Sequence, residues 1–237
     1  MPKQQLLQNI SLTHSKNKTM KKIGLTLLVA LCGTYCLAQQ NKLSYGLKAG
    51  INISTINDGD PKSKTGFVGG AFANYKINES ISIQPEVLYS MQGYTSTIIG
   101  DFEGSAVNYK DDTKLHYLNI PIMLRYNYKG IFAEVGPQFG INLRNTLDYE
   151  VELDYYGNNV TFSDRLKDIA KTFDFGVGVG LGYEIPKTNL NVNARYMFSL
   201  TSFYTDAGTT SGGYQFVDNE SGSPKNRVLS FSLGYKF

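Results

Sequence analysis

The stretch Arg227-Val-Leu-Ser-Phe-Ser-Leu-Gly-Tyr-Lys-Phe237 closes the sequence and decides its reading. Leu229, Phe231, Leu233, Tyr235 and Phe237 fall on one parity. Val228, Ser230, Ser232, Gly234 and Lys236 fall on the other. Successive side chains of a strand point to opposite faces, so this segment makes a strand with one apolar face and one small or polar face. A terminal strand leaves an open sheet edge unless something pairs with it. The expectation is that it pairs with the first strand and closes a barrel, with its apolar face toward lipid.

The same alternation recurs in seven other segments: 43–53, 66–77, 81–92, 115–126, 131–143, 172–185 and 190–200. The cleanest is 172–185, where Phe173, Phe175, Val177, Val179, Leu181, Tyr183 and Ile185 alternate with Asp174, Glu184 and four glycines. The weakest is 66–77, where Val68 and Phe72 sit on the otherwise small parity. Pro85, Pro121 and Pro137 count against interior strands, because proline cannot donate to a ladder. Connections after the second, fourth and sixth segments are short. The others are longer, with outer loops expected at 93–114, 144–171 and 201–226. Outer-membrane barrels show this asymmetry, with short periplasmic turns, long outer loops and an even strand number. Segments of about ten residues match a tilted crossing of the bilayer. Lipid offers backbone groups no hydrogen bonds, so a sheet crosses it only when closed. The fold class is therefore all-β, an eight-stranded antiparallel up-and-down transmembrane barrel.

A soluble lipocalin-like barrel or a sandwich would show the same periodicity with the apolar parity inside. The composition of the two faces favours the membrane. The outward set is Tyr, Phe, Leu and Ile without charge, and the inward set is rich in Gly, Asn and Ser. Eight strands enclose a space that side chains fill. Lys48, Glu86, Arg125, Glu134, Asp174, Glu184 and Arg195 lie on the inward parity and are expected to pair in a polar plug. Tyr45, Tyr75, Tyr89, Tyr126, Tyr183 and Tyr235 fall near strand ends, where aromatic belts sit.

The chain has 23 Lys and Arg against 20 Asp and Glu, a formal charge of +3. Five of the basic residues (Lys3, Lys16, Lys18, Lys21 and Lys22) and none of the acids precede Gln39, which leaves 18 basic against 20 acidic residues beyond it. There is no basic stripe and no case for nucleic acid. Met20-Lys21-Lys22, the apolar run 23–37 and the Cys36-Leu37-Ala38 site read as a secretory signal over 20–38, with cleavage near Ala38. Residues 1–19 read as an upstream extension with Met20 as the true start, and 39–237 as the barrel domain. A retained N-terminal anchor is the alternative for the signal. Cys32 follows Leu31 and Cys36 follows Tyr35, so neither suits lipid attachment. Both cysteines fall within the signal, so the mature chain has no disulfide, thiol nucleophile or Cys-ligated metal.

Few residues suggest chemistry. His116 is the only mature histidine and lies near Asp111 and Asp112, as a rim hydrolase would need. No motif marks a second catalytic group. Asp148, Glu150, Glu152 and Asp154 would share one face of a strand. They make either a hard-cation site or the solvated face of an extension of the fifth strand. Residues 163–171 have the pattern of a short helix capped by Ser163 with Asp164 in its first turn. The alternating glycines 176–182 lack the Gly-Lys-Ser/Thr ending of a phosphate loop. No cofactor is implied.

Several motifs together resemble the PorT-like outer-membrane β-barrel family, common in Bacteroidota and often labelled porin-family proteins. They are Gly46-Leu47-Lys48-Ala49-Gly50-Ile51-Asn52, Gln84-Pro85-Glu86-Val87-Leu88-Tyr89-Ser90, Tyr117-Leu118-Asn119-Ile120-Pro121, Gly136-Pro137-Gln138-Phe139-Gly140, Asp174-Phe175-Gly176 and the aromatic end at Phe237. The resemblance implies insertion into the outer membrane of a Gram-negative cell by the assembly machinery, with Tyr235 and Phe237 as the assembly signal. It makes the three prolines a family feature at bulges. It carries no catalytic residues. The expected role is structural or interactive, among outer-membrane lipid and envelope or secretion partners, in outer-membrane assembly or protein secretion. A small passive pore and a rim hydrolase using His116 are the alternatives.

Overall fold

A computed structural model of the chain describes residues 42–237 apart from 58–60, 103–104, 156–157, 168–169, 203–209, 212–213 and 216–223. The expected signal (20–38) and the extension before it lie outside the described residues. The strands are β1 (Leu43–Ile56), β2 (Lys62–Lys76), β3 (Ile81–Phe102), β4 (Ser105–Tyr128), β5 (Ile131–Tyr155), β6 (Asn158–Lys167), β7 (Phe173–Glu184), β8 (Leu190–Ser199), β9 (Thr210–Ser211), β10 (Tyr214–Gln215) and β11 (Asn226–Lys236). There is no helix among the described residues.

Eight of these strands form the ring in the order β1-β2-β3-β4-β5-β7-β8-β11, with β11 returning to β1. All the registered pairs of the ring are antiparallel. The closing pair runs from Gly46↔Lys236 to Ile56↔Asn226, and β11 pairs on its other side with β8 from Arg227↔Phe198 to Tyr235↔Leu190. Each of the eight expected segments lies on one ring strand. The parities hold as well: Leu47, Ile51, Val87, Leu124, Leu181, Phe231 and Leu233 are exposed on the outside, while Lys48, Asn52, Glu86, Arg125 and Arg195 are buried inside. The β4–β5 turn is the two-residue kind whose backbone twist matches paired strands, with positive φ at both Lys129 and Gly130.

Three parts of the structure depart from the sequence reading. First, β3, β4 and β5 all run past the membrane, where only an extension of β5 was among the expected readings. They are 22, 24 and 25 residues long, and 93–114 forms the arms of one long hairpin instead of a loop. At ~3.3 Å per residue β5 is roughly 80 Å of strand, where a crossing needs only about ten residues. Second, residues 163–167 are not helical. They lie in β6, which pairs with the far end of β5 from Thr146↔Lys167 to Tyr155↔Asn158. Val160, Phe162 and Leu166 give that segment a strand period, and cross-strand pairing overrides its weak helix-cap pattern.

Third, the prolines are not at bulges. Register is unchanged across Pro85, Pro121 and Pro137, although bridges are interrupted beside them. The sheet absorbs the missing donors by local loss of pairing. A Cβ added to Gly136, beside Pro137, would lie 2.0 Å from the Ile122 carbonyl oxygen, so glycine permits the close approach of β5 to β4 there. The true register shifts lie between Ser63 and Val68 on β2 and at His116/Tyr117 opposite β5. At the second, His116 faces Arg144 and Tyr117 faces Asn142, which leaves Leu143 as the extra residue of a bulge. Below this bulge the odd-numbered residues of β5 point outward. Just above it Asn145, Thr146 and Leu147 are all buried, and further up the exposed positions, Glu150 and Glu152, are even-numbered.

Candidate functional site

The inside of the ring is filled in layers. At its centre, inward positions on five strands bring Lys48, Glu86, Arg125, Glu134 and Arg195 together, each 5% exposed or less. Glu86 accepts from Lys48 Nζ at 2.8 Å, from Arg195 Nη1 and Nη2 at 2.9 and 2.8 Å, and from Gln84 Nε2 at 2.7 Å. Arg195 Nε also donates to Glu134 Oε1 at 2.6 Å, beside Asn193 Nδ2 at 3.0 Å. Arg125 donates to Gln84 Oε1, stacks 3.5 Å above the Phe132 ring and lies 3.6 Å from Glu134 Oε2. Three cations thus surround two carboxylates, with Arg195 forking onto one and reaching the other. Arginine's planar donors suit this bridging geometry.

Two other inward charges stand apart from the cluster. Asp174 is at the outer end of β7, where Ser199 Oγ and Thr201 Oγ1 donate to it at 2.7 and 2.6 Å. Glu184 is at the other end of β7 and pairs with Lys236. Gln84 and Asn193, which hold the cluster's carboxylates and Arg125, were visible only as inward-parity residues. An apolar set, Val68, Phe72, Leu88, Met123, Phe132, Met197 and Val228, is also buried. The misplaced parity of Val68 and Phe72 is its sequence signal.

Above the charges, Asn52 bridges Ser90 and Ser230 at 2.8 and 2.7 Å, and Gln92 reaches Ser90 at 2.8 Å. A cavity of about 20 Å³ remains beside this layer, lined in part by Lys48, Asn52, Gln138 and Arg195. That is room for about one water. Higher still, Tyr94, Leu115, Tyr117, Leu147 and Ala170 form an apolar cluster with Ile56 and Leu166 against it.

The projecting sheet β3-β4-β5-β6 has two unlike faces. Outward, Lys114 pairs with Asp148 at 2.8 Å and Asp112 at 3.2 Å, Lys64 pairs with Asp112, and Arg165 pairs with Asp148. Hydrogen bonds from Arg165 and Lys114 pull the Asp148 carboxyl down to about 2. Asn108 donates to Glu152 at 3.2 Å. On the other face Tyr109 stacks on Tyr149 with ring centroids 6.4 Å apart. Asp111 is on that face and accepts from the Ser96 N–H at 3.0 Å. Burial, with Asp112 adding repulsion, pushes its carboxyl up to about 6.

The acids Asp148, Glu150 and Glu152 therefore share the outward face of β5, with Asp148 neutralised by cations. Among the described residues no group of three or more His, Cys, Asp or Glu is arranged to hold a metal. His116 is on the outward face of β4, 2.6 Å from the Tyr89 hydroxyl through Nδ1. Asp111 faces the opposite way, and Asp112 is taken by Lys64 and Lys114. Among the described residues, the second catalytic group that a rim hydrolase would need beside His116 is not assembled. At the closing seam, the Phe237 N–H donates to the Tyr45 carbonyl at 2.8 Å, and Phe237 and Tyr235 meet edge-on at 5.5 Å on the lipid face.

Solved structures similar to this chain include neisserial surface protein A (NspA), at 14% identity and a TM-score of 0.44, covering 81% of this chain and 97% of that one. The attachment invasion locus protein Ail of Yersinia pestis matches at 12% identity and a TM-score of 0.37, covering 83% and 99%. CarO of Acinetobacter baumannii matches at 12% identity and a TM-score of 0.40, covering 80% and 97%. No curated protein matches. The family model described as outer membrane protein beta-barrel domain matches residues 37–205, most of the chain, and on that match together with the closed ring this protein belongs to the outer-membrane β-barrel family.

Proposed function

We propose that this outer-membrane barrel is a closed, non-enzymatic anchor that presents the β3-β4-β5-β6 sheet outside the cell as a protein-interaction surface. The observation that carries this reading is the contrast between the two halves. Buried charged, polar and apolar side chains fill the ring around a cavity of about 20 Å³, while three of its strands run far beyond the bilayer and recruit β6. That His116 has no acid partner among the described residues, and that both cysteines fall within the expected signal, argue against a rim hydrolase. The resemblance to PorT-like barrels supports a place in outer-membrane assembly or protein secretion. Within the same reading, residues 20–38 direct export with cleavage near Ala38, and Tyr235 and Phe237 are read by the assembly machinery.

Two measurements test it. Purified protein in planar bilayers should give no steady channel openings; sustained openings would favour the passive pore. A photo-crosslinker at Glu150 in living cells should trap a discrete envelope protein, and one at Val87 on the lipid-facing band should not. The same adducts from both positions would defeat the interaction role.

A further inference from the structure

We propose that the outer rim around Arg144 binds the phosphorylated headgroup of an outer-leaflet lipid. The β5 bulge places Arg144 there. Without the extra residue, Arg144 would follow the even-numbered inward parity of lower β5. With it, Leu143 and Arg144 are consecutive and both exposed. Bulges re-aim side chains in this way.

The height is that of a headgroup. Arg144 is thirteen positions along β5 from Ile131, at the periplasmic turn. At ~3.3 Å per residue and a tilt near 40°, this is roughly 33 Å along the membrane normal. A hydrocarbon core is about 30 Å thick. Immediately below, Leu143, Phe139 and Phe173 are 56%, 49% and 72% exposed, an apolar surface suited to acyl chains.

The neighbours on both sides add a hydrogen-bonding imidazole, which burial and the Arg144 charge keep neutral, and a second cation. His116 is the direct cross-strand partner of Arg144 on β4. Its ring is held through Nδ1 by Tyr89, and no described residue engages Nε2. On the other side the Asn142 N–H donates to the Thr172 carbonyl at 2.7 Å, which places exposed Lys171 beside the bulge before β7. The acids two outward positions higher, Asp112 and Asp148, are already paired with Lys64, Lys114 and Arg165. Among the described residues, no carboxylate forms an ion pair with Arg144, His116 or Lys171. A guanidinium above apolar residues, next to an imidazole and an ammonium, complements a phosphate carried on acyl chains. Arginine's planar donors engage phosphate in pairs.

The test is native mass spectrometry of the full chain folded in detergent with lipid A, which carries two phosphates, or with its dephosphorylated form. The folded chain should retain the diphosphorylated lipid and release the other. Arg144→Ala should lower retention about tenfold, the loss of one charge-assisted phosphate contact. Lys110→Ala removes the same charge from an exposed site well above the membrane and should change nothing. If Arg144→Ala gives no heat-shifted folded band, Lys171→Ala carries the same expectation. Equal retention of the two lipids, or equal loss in the Arg144 and Lys110 variants, would overturn the site. Release of lipid A by millimolar inorganic phosphate would also overturn it, showing an ion site without a lipid component.

Discussion

Glu86→Gln is the most informative change in the plug. Glu86 is 1% exposed and faces two cations, Lys48 and Arg195, while Glu134 faces Arg195 and Arg125. Neutralising Glu86 leaves three buried cations around one carboxylate, and puts a new amide donor among donors. With charge centres ~4 Å apart and an effective dielectric near 20, each lost pairing is worth about 4 kcal/mol gross, or about 8 kcal/mol for two. Relief of the carboxylate's own desolvation returns several kcal/mol. The expected net destabilisation is about 3–5 kcal/mol. Arg195→Met should cost less, although it removes three hydrogen bonds to carboxylates. It leaves two cations for two acids, with Lys48 still on Glu86 and Arg125 near Glu134. Adding Lys48→Met to Glu86→Gln should recover part of the loss by removing one stranded cation. The assay is urea unfolding in detergent micelles, read by gel mobility without boiling and by far-ultraviolet circular dichroism, since the chain has no Trp. An Arg195→Met loss equal to or larger than that of Glu86→Gln would refute the charge-balance argument. So would a double variant no more stable than Glu86→Gln alone.

Two further outcomes are expected. The Asp111 carboxyl is raised in the folded state to about 6, so the folded state keeps its proton where the unfolded chain has lost it. Its contribution therefore weakens stability as pH rises from about 4 to about 6. Asp111→Asn should flatten that part of the stability–pH profile, and an unchanged slope would remove Asp111 as its source. Deleting Phe237 removes one backbone hydrogen bond and one edge-on ring contact at the seam. It should lower the amount of protein in the outer membrane while shifting the unfolding midpoint of the purified barrel little. Equal membrane levels for the deletion and the full chain would show that Phe237 is not an assembly signal.

The ring was legible because a membrane barrel must repeat one simple pattern. Every crossing alternates, and the alternation in 172–185 or 227–237 survives without tertiary knowledge. Height was not legible. Parity places Lys48, Glu86, Asp174 and Glu184 inside, but not at which level, because level depends on the stagger between strands. Asp174 and Glu184, ten residues apart, sit at the two ends of β7, and nothing in the sequence says that neither reaches the charge cluster. The bulge at Leu143 was equally hidden: one extra residue exchanges the two faces of β5, and no residue type announces it. The extension of β3 and β4 was missed because 93–114 is polar enough to read as loop, whereas an extension of β5 was one of the two readings of its alternating acids Asp148, Glu150 and Glu152. The two arms of 93–114 are held by pairing with each other and, on the β4 side, by β5, which local propensity does not record.

The seam between β1 and β11 has a kinetic consequence. Its partners, such as Ile51 and Phe231, are 180 positions apart, whereas most other neighbouring strands of the ring are joined by hairpins. Loop-closure entropy makes contacts of long sequence separation slow to form. Zippering of the hairpins should therefore outrun the seam, and the pairing of β1 with β11 should come last. Until then β1 and β8, or β1 and β11, are exposed edges of an open curved sheet, each able to pair with a second copy. The interval before closure is when this chain is most prone to join another instead of itself.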